Sequence, residues 1–346
     1  MIRLVKYLLL VLLLPVDSFV SGQGTGGLQV LLTVDNDFFG FDNKDESYTG
    51  GAKVEVLVPG LKLKWVPFYK FKGESAINIQ RFAVGGTAYT PRDISVESVI
   101  KGDRPYASLM FLSAGNNSYS KNRKWIMQSD IVIGVMGARG PGSAQAYIHS
   151  HHWFGSERPV PKGWNNQIGY DGSFVANYNT RLQKKIVGTG HNNGFEWLQL
   201  NLTGRLDLGN YMTNIQPGVK LNLLNWNTGI LQEYSPDILT LNNVSVAGSG
   251  KIIRFNIFAE PQVRFAAYNS TLEGALFNDH SIYKIEHSNV KRILFEINGG
   301  ANLLIGDILY IRYSFYGRSR EFKGGKPFHT WAGITVGISP ARWNRN

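Results

Sequence analysis

The sequence predicts an all-β protein: a single antiparallel transmembrane β-barrel of about twelve strands, with one short helix in an outer loop. Three observations carry this expectation. Segment after segment alternates with period two, most clearly Leu198, Leu200, Leu202, Leu206 and Leu208 against Gln199, Asn201, Thr203, Arg205 and Asp207. The segments run to roughly ten residues or more, enough for a tilted membrane-spanning strand and about twice the usual strand of a soluble sandwich. An export leader precedes them, and no apolar stretch behind it approaches the ~20 residues of a transmembrane helix.

The leader is residues 1–22. Arg3 and Lys6 form its basic end, residues 7–14 its apolar centre, and Ser18, Ser21 and Gly22 suit a cleavage site. Residues 23–346 are then one barrel domain without repeats or linkers. The 346-residue chain is 43% hydrophobic and 12% aromatic, too apolar for intrinsic disorder, and has 0 cysteines, which excludes disulfide scaffolds, cysteine nucleophiles and a lipid anchor on cysteine. The leader holds two cations and one anion, so the mature chain keeps nearly all of the +11 formal charge. An exported chain rarely meets nucleic acid, and the excess suits an anionic, phosphorylated lipid surface or a generic solvated basic one.

Taken in order, the strands centre near Leu31, Val54, Ile79, Met110, Val132, Tyr178, Leu202, Val219, Ile257, Ile297, Ile311 and Thr335. In the first pair Val34, Val54 and Val56 share the apolar side, and Asp35, Asp37, Thr49 and Lys53 the polar one. Later strands repeat the pattern: Val219, Leu221 and Leu223 against Lys220 and Asn222; Ile253, Phe255 and Ile257 against Arg254 and Asn256; Leu309, Ile311 and Phe315 against Arg312 and Ser314; Ile334, Val336 and Ile338 against Thr335. Aromatics near strand ends (Trp65, Phe68, Tyr69, Tyr211, Trp331, Trp343) are expected in interface girdles. A helix is expected over 142–154, bounded by Gly140, Pro141 and Gly155, inside a loop spanning 137–168. Loops 38–47, 86–105 and 137–168 then open on one outer rim, while the long segment 225–250 has no place in this scheme.

The chemistry-bearing residues fall on those three loops. Asp35, Asn36 and Asp37 end the first strand and Tyr48 and Thr49 begin the second, so a hairpin brings carboxylate, amide and hydroxyl oxygens to one rim, the donor set of a hard cation or of an ordinary acidic turn. His149, His151 and His152 lie on the loop helix. Their spacing supports no two-histidine zinc face, but Gln145 and His149 share one helical face. One such histidine beside a metal-bound carboxylate would serve as a general base. Asp103 and Arg104 read as a structural pair, and no nucleophile elbow or phosphate loop is present.

In order along the chain, DNDFF at 35–39, YTGG at 48–51, YTPRD at 89–93, DRPYAS at 103–108, GPGSAQAYIHSHHWFGSERP at 140–159, GWNNQ at 163–167 and YGRSREF at 316–322 resemble the lipid A 3′-O-deacylases of the bacterial outer membrane, the LpxR type. The resemblance spans nearly the whole mature chain. It implies a twelve-stranded barrel in the outer membrane, acting as a monomer on lipid A within lipopolysaccharide, with its site between the wall and a loop helix. It also implies calcium-dependent hydrolysis of the 3′-linked acyl ester, with Asp37, Thr49 and Glu157 as calcium ligands. His149 is the expected base, with Asn36 in the catalytic set. His149 fits the Gln-to-His spacing on the helix, whereas counting back from Glu157 points to His151. Asp35 is a candidate to orient the imidazole, and Arg92 or Lys101 stands where some members carry a basic pair. A pore or envelope-binding barrel and a serine-dependent phospholipase barrel are the competing functions.

Overall fold

The computed structural model describes residues 28–40, 45–59, 61, 71, 77–120, 124–152, 158–191, 195–225, 253–277, 280–305 and 308–339. Twelve antiparallel strands form one closed barrel. They are β1 (Gln29–Asn36), β2 (Ser47–Pro59), β3 (Ile77–Thr90), β4 (Ala107–Tyr119), β5 (Trp125–Met136), β6 (Ser173–His191), β7 (Phe195–Gly209), β8 (Met212–Asn225), β9 (Ile253–Asn269), β10 (Ile293–Ile305), β11 (Leu309–Ser319) and β12 (Phe328–Ile338). Each strand pairs with its neighbours in sequence, and β1 closes on β12 from Val30–Ile338 to Asn36–Ala332. No edge remains, as a hydrocarbon environment requires. Every expected strand centre falls inside one of these elements.

The alternation sorts side chains between two faces. Leu112, Phe174, Leu202, Ile215 and Phe295 stand exposed on the outer wall. The other parity fills the interior with paired ions: Arg81 with Asp130, Arg181 with Glu260, and Arg205 with Asp207. Glu296 takes Arg318 at 2.6 Å and Arg264 at 3.1 Å. Ionic groups of both signs point inward and apolar ones outward, the inverse of a soluble sandwich and the arrangement of a membrane barrel.

Two of the aromatics expected in the girdle are elsewhere. Tyr211 and Trp331 are buried within the barrel mouth, in a cluster with Tyr48, Tyr89 and Tyr316. Strand-end position alone does not choose a face: Trp331 lies on the inward parity of β12 with His329 and Thr335, and Tyr211 is buried in the turn between β7 and β8. Trp65, Phe68, Tyr69 and Trp343 lie outside the described residues, as do the leader and residues 226–250.

Because the strands alternate, the loops after β1, β3, β5, β7, β9 and β11 share one rim. The loop after β5 carries helix α1 (Arg139–Ser150). It starts three residues before the expected boundary, because a proline at the third helical position loses only an N–H that no helical carbonyl would accept. A short helix, α2 (Ser270–Glu273), was not expected from the sequence. Asn269 caps it by accepting from the Thr271 N–H at 3.0 Å. Its buried Thr271 receives Arg104 Nη2 at 2.6 Å, which ties the loop after β9 to that before β4 across the mouth. Asp103 and Arg104 therefore do not pair through their side chains. Asp103 accepts from Arg92, while Arg104 pairs with Glu321.

Leu112, 56% exposed in mid-β4 beside the outward Val84 and Ile133, reports directly on the outer face. Leu112→Arg is expected to cost about 2–4 kcal/mol in urea unfolding from lipid vesicles. A loss well below that range would mean this face does not meet hydrocarbon.

Candidate active site

The turn that leaves β1 begins the site. Asn36 Oδ1 accepts from the Phe38 N–H at 2.8 Å and folds residues Asp37–Gly40 into a 3-10 turn. That turn leaves Asp37 fully buried, with Oδ2 accepting from the Glu46 N–H at 3.3 Å. The chain returns through Asp45, also buried. At the start of β2, the pairing with β3 slips between Tyr48 and Gly50, so Thr49 is the extra residue of a bulge. The bulge buries Tyr48 and Thr49 alike instead of sending one outward. The Thr49 hydroxyl bonds that of Thr90, which in turn donates to the Asp45 carbonyl at 3.2 Å.

Helix α1 brings the imidazole. It packs on β3 and β4, and it is clamped from the other side by Trp164. The indole Nε1 donates to Gln145 Oε1 at 3.0 Å, and a Cβ at Gly142 would come within 2.7 Å of the ring. One turn further, His149 is buried at the helix end. Its Nδ1 lies 2.8 Å from the Pro159 carbonyl oxygen. A carbonyl only accepts, so Nδ1 carries the proton and, in the neutral ring, Nε2 holds the lone pair. Nε2 lies 3.2 Å from Asp45 Oδ2, which takes part in no directed hydrogen bond.

Asp45, in the loop after β1, and Arg158, in the loop after β5, complete the cluster and are absent from the sequence reading of the site. Arg158 Nη1 reaches Asp45 Oδ1 at 2.6 Å and Asp37 Oδ1 at 3.3 Å. Asp45 was read as part of an acidic turn. Its signal was there: an acidic residue four places before Thr49 on the returning arm of the hairpin.

The remaining expected site residues divide clearly. Asp37, Thr49, His149 and Gln145 are buried at the same rim; contacts run from Thr49 through Thr90 to Asp45, which meets His149 and, through Arg158, is linked to Asp37. Asn36 stands at its edge, with its carbonyl oxygen committed to the turn. Asp35 does not reach the imidazole; it points into the lumen and accepts from the Tyr48 hydroxyl at 3.3 Å. The reason is register, since Asp35 lies within β1 opposite Gly51 and Gly333, a turn short of the site. His151 is exposed, with its ring tilted by 30° against that of Tyr147 at 4.1 Å and Nδ1 beside the Tyr147 carbonyl. His152, at φ 49°, follows the helix end. Arg92 is bound to Asp103, and Lys101 is exposed in the same loop. Glu157 lies outside the described residues.

Burial holds the Asp37 carboxyl well above the usual carboxylate range; the charge of Asp45 adds to this and Arg158 opposes it. Two buried carboxylates drawn together in this way call for positive charge. Among the described residues no three His, Asp or Glu side chains are arranged to hold an ion. Calcium, however, takes six to eight oxygens from carboxylates, carbonyls and water. Two carboxylates, one with an unbonded oxygen, beside threonine hydroxyls fit that requirement.

The sign of the Asp37 shift gives a test. A carboxyl that binds its proton more tightly when folded contributes stability below the ordinary carboxylate range, and loses it as pH rises through the raised pKa. In chelator-containing buffer, Asp37→Asn should therefore raise the unfolding temperature at neutral pH and flatten its decline with pH. An equal loss of stability at every pH would overturn this account of the buried pair.

No curated protein matches the chain by sequence. Among solved structures, LpxR from Salmonella typhimurium superposes with a TM-score of 0.68 at 14% identity, covering 90% of this chain and 99% of that one. The β domain of the Bordetella autotransporter BrkA gives 0.42 at 7% identity, covering 91% and 99%. The translocator domain of NalP from Neisseria meningitidis gives 0.39 at 10%, covering 97% and 95%. The family model described as outer membrane protein LpxR matches residues 7–339, nearly the whole sequence, and the chain belongs to that family.

Proposed function

We propose that this protein is an outer-membrane lipid A 3′-O-deacylase, a calcium-dependent esterase whose base is His149. Family membership supports the substrate and compartment. The observation that carries the mechanism is the imbalance around the imidazole: Nδ1 is engaged by the Pro159 carbonyl, while Nε2 is turned toward a buried pair of carboxylates. A histidine whose Nδ1 proton is held by a carbonyl, with its lone pair on Nε2 facing a carboxylate, is set up to take a proton.

Asp37 and Asp45 would hold the ion, with Thr49 beside them and Glu157 as a further ligand. Bound calcium would supply an electrophile for the ester carbonyl and for the negative charge that develops on its oxygen. The chain's own residues do the rest. His149 Nε2 takes a proton from water, whose oxygen attacks the acyl carbon. When the C–O bond to the sugar breaks, the imidazolium returns that proton to the leaving sugar oxygen, giving a free fatty acid and a sugar hydroxyl. The Pro159 carbonyl stabilises the imidazolium and prevents the ring from flipping. Trp164 and Gln145 keep α1 in register against the wall, which holds Nε2 at the site. A positioned base contributes about 10²–10⁴-fold, so cation and orientation carry the remainder. The ion pairs that occupy the lumen weigh against a pore.

The purified full chain is expected to release fatty acid from lipid A, followed by mass spectrometry, and to stop when chelator is added. His149→Ala should lower the rate at least about 10²-fold while the barrel keeps its folded band shift on unheated gels. His151→Ala should leave the rate within about twofold. Turnover indifferent to chelator and to His149→Ala would sink the mechanism, and ion conductance without acyl release would replace the enzyme by a channel.

A further inference from the structure

Arg158 stands where a cation is demanded. Its Nη1 reaches both carboxylates of the pair, 2.6 Å from Asp45 Oδ1 and 3.3 Å from Asp37 Oδ1. Its side chain is only 14% exposed and lies over the Phe38 ring, 5.7 Å from the centroid. Nη2 is buried without a hydrogen-bond partner among the described residues. The guanidinium is therefore held by hydrogen bonds from one nitrogen shared between two acids, and not by the bidentate fork that makes arginine–carboxylate pairs rigid.

A divalent ion and this guanidinium compete for the same oxygens. We propose that Arg158 is an internal competitor for calcium: it holds Asp37 and Asp45 together in the ion-free protein, leaves them when the ion binds, and so sets the calcium concentration at which the site assembles. The inference rests on the calcium-dependent reading above and extends it to a residue that reading does not use. Two features make the exchange local. Only the side chain of Arg158 has to swing, since it is long and sits at the rim. The imidazole is unaffected by that movement, because its anchor is the neighbouring Pro159 carbonyl and not the guanidinium. The arrangement also favours ions of higher charge. A monovalent ion offers the pair no more than Arg158 already provides, whereas a divalent ion matches both carboxylates at once.

The test is calcium titration by calorimetry on the purified, detergent-solubilised full chain, comparing wild type with Arg158→Met and Arg158→Lys. Arg158→Met removes the competitor and should bind calcium about tenfold tighter or more. Arg158→Lys keeps the charge and should stay close to wild type. Without calcium, Arg158→Met should unfold at a lower temperature, since two buried carboxylates are left facing each other, and added calcium should restore more stability to it than to wild type. Equal or weaker calcium binding by Arg158→Met would overturn the inference, as would absence of calcium binding in all three proteins. Acyl release from lipid A, measured on the same preparations, separates the two failures. Calcium-dependent release with unchanged affinities removes the competitor and leaves the enzyme.

Discussion

In hydrocarbon an unpaired backbone N–H costs several kcal/mol, so β1 has to find β12, and that ladder determines where the site residues lie. It brings the first and last strands together and fixes the shear of the cylinder. It also leaves the turn after Asn36 at the same rim as the loops after β3 and β5. Asp37 is buried because that turn folds back over the rim instead of continuing the strand. A one-residue slip in the β1–β12 register would turn Thr33 and Asp35 to lipid and Leu32 and Val34 to the lumen. The closing register thus separates the two environments as well as joining the ends.

Inside the cylinder, the same closure forces ionic groups together. Arg318 on β11 bonds Glu296 on β10 and Glu321 in the following loop, and Glu321 also takes Arg104 from the loop before β4. Arg104 then reaches Thr271 of α2. Two strands and three loops are tied in this way across the mouth. Buried ion pairs are weak contributors to net stability, but breaking one is costly. Their effect here is to hold the rim in one arrangement. The first hairpin and α1 rest on a braced wall.

The barrel was legible because its signal is periodic and long. Leu198 to Leu208 could only be a two-faced strand, and all twelve centres are correctly placed for the same reason. The family motifs brought Asp37, Thr49 and His149 to the same rim before any coordinates. What was illegible depended on tertiary register. Nothing local to Asp35 or Asp45 says which of two acidic residues meets the imidazole; that depends on a bulge at Thr49 and on the angle at which α1 crosses β3 and β4. Trp331 was misread because strand-end position was given more weight than parity, and Tyr211 because it lies in a turn, where parity does not decide. The helix boundary moved because Pro141, taken as a breaker, stands where proline is tolerated. α2 was missed because four residues carry no periodicity, and only Asn269, a capping residue, marked its start.

The imidazole is oriented by a backbone carbonyl and not by a carboxylate, and this separates two tasks that other hydrolytic sites combine. Where a carboxylate holds the remote nitrogen, its charge stabilises the imidazolium and also orients it. Here Pro159 provides orientation through a neutral dipole, which leaves both buried acids free to serve a cation. The negative charge in front of Nε2 is then tolerable only while something positive sits between or beside the two carboxylates. Arg158 meets that need in the structure described. A divalent ion would meet it more fully, and would at the same time place an electrophile next to the base. Charge balance in the first hairpin and readiness of the imidazole are thus one problem, met at the same pair of carboxylates.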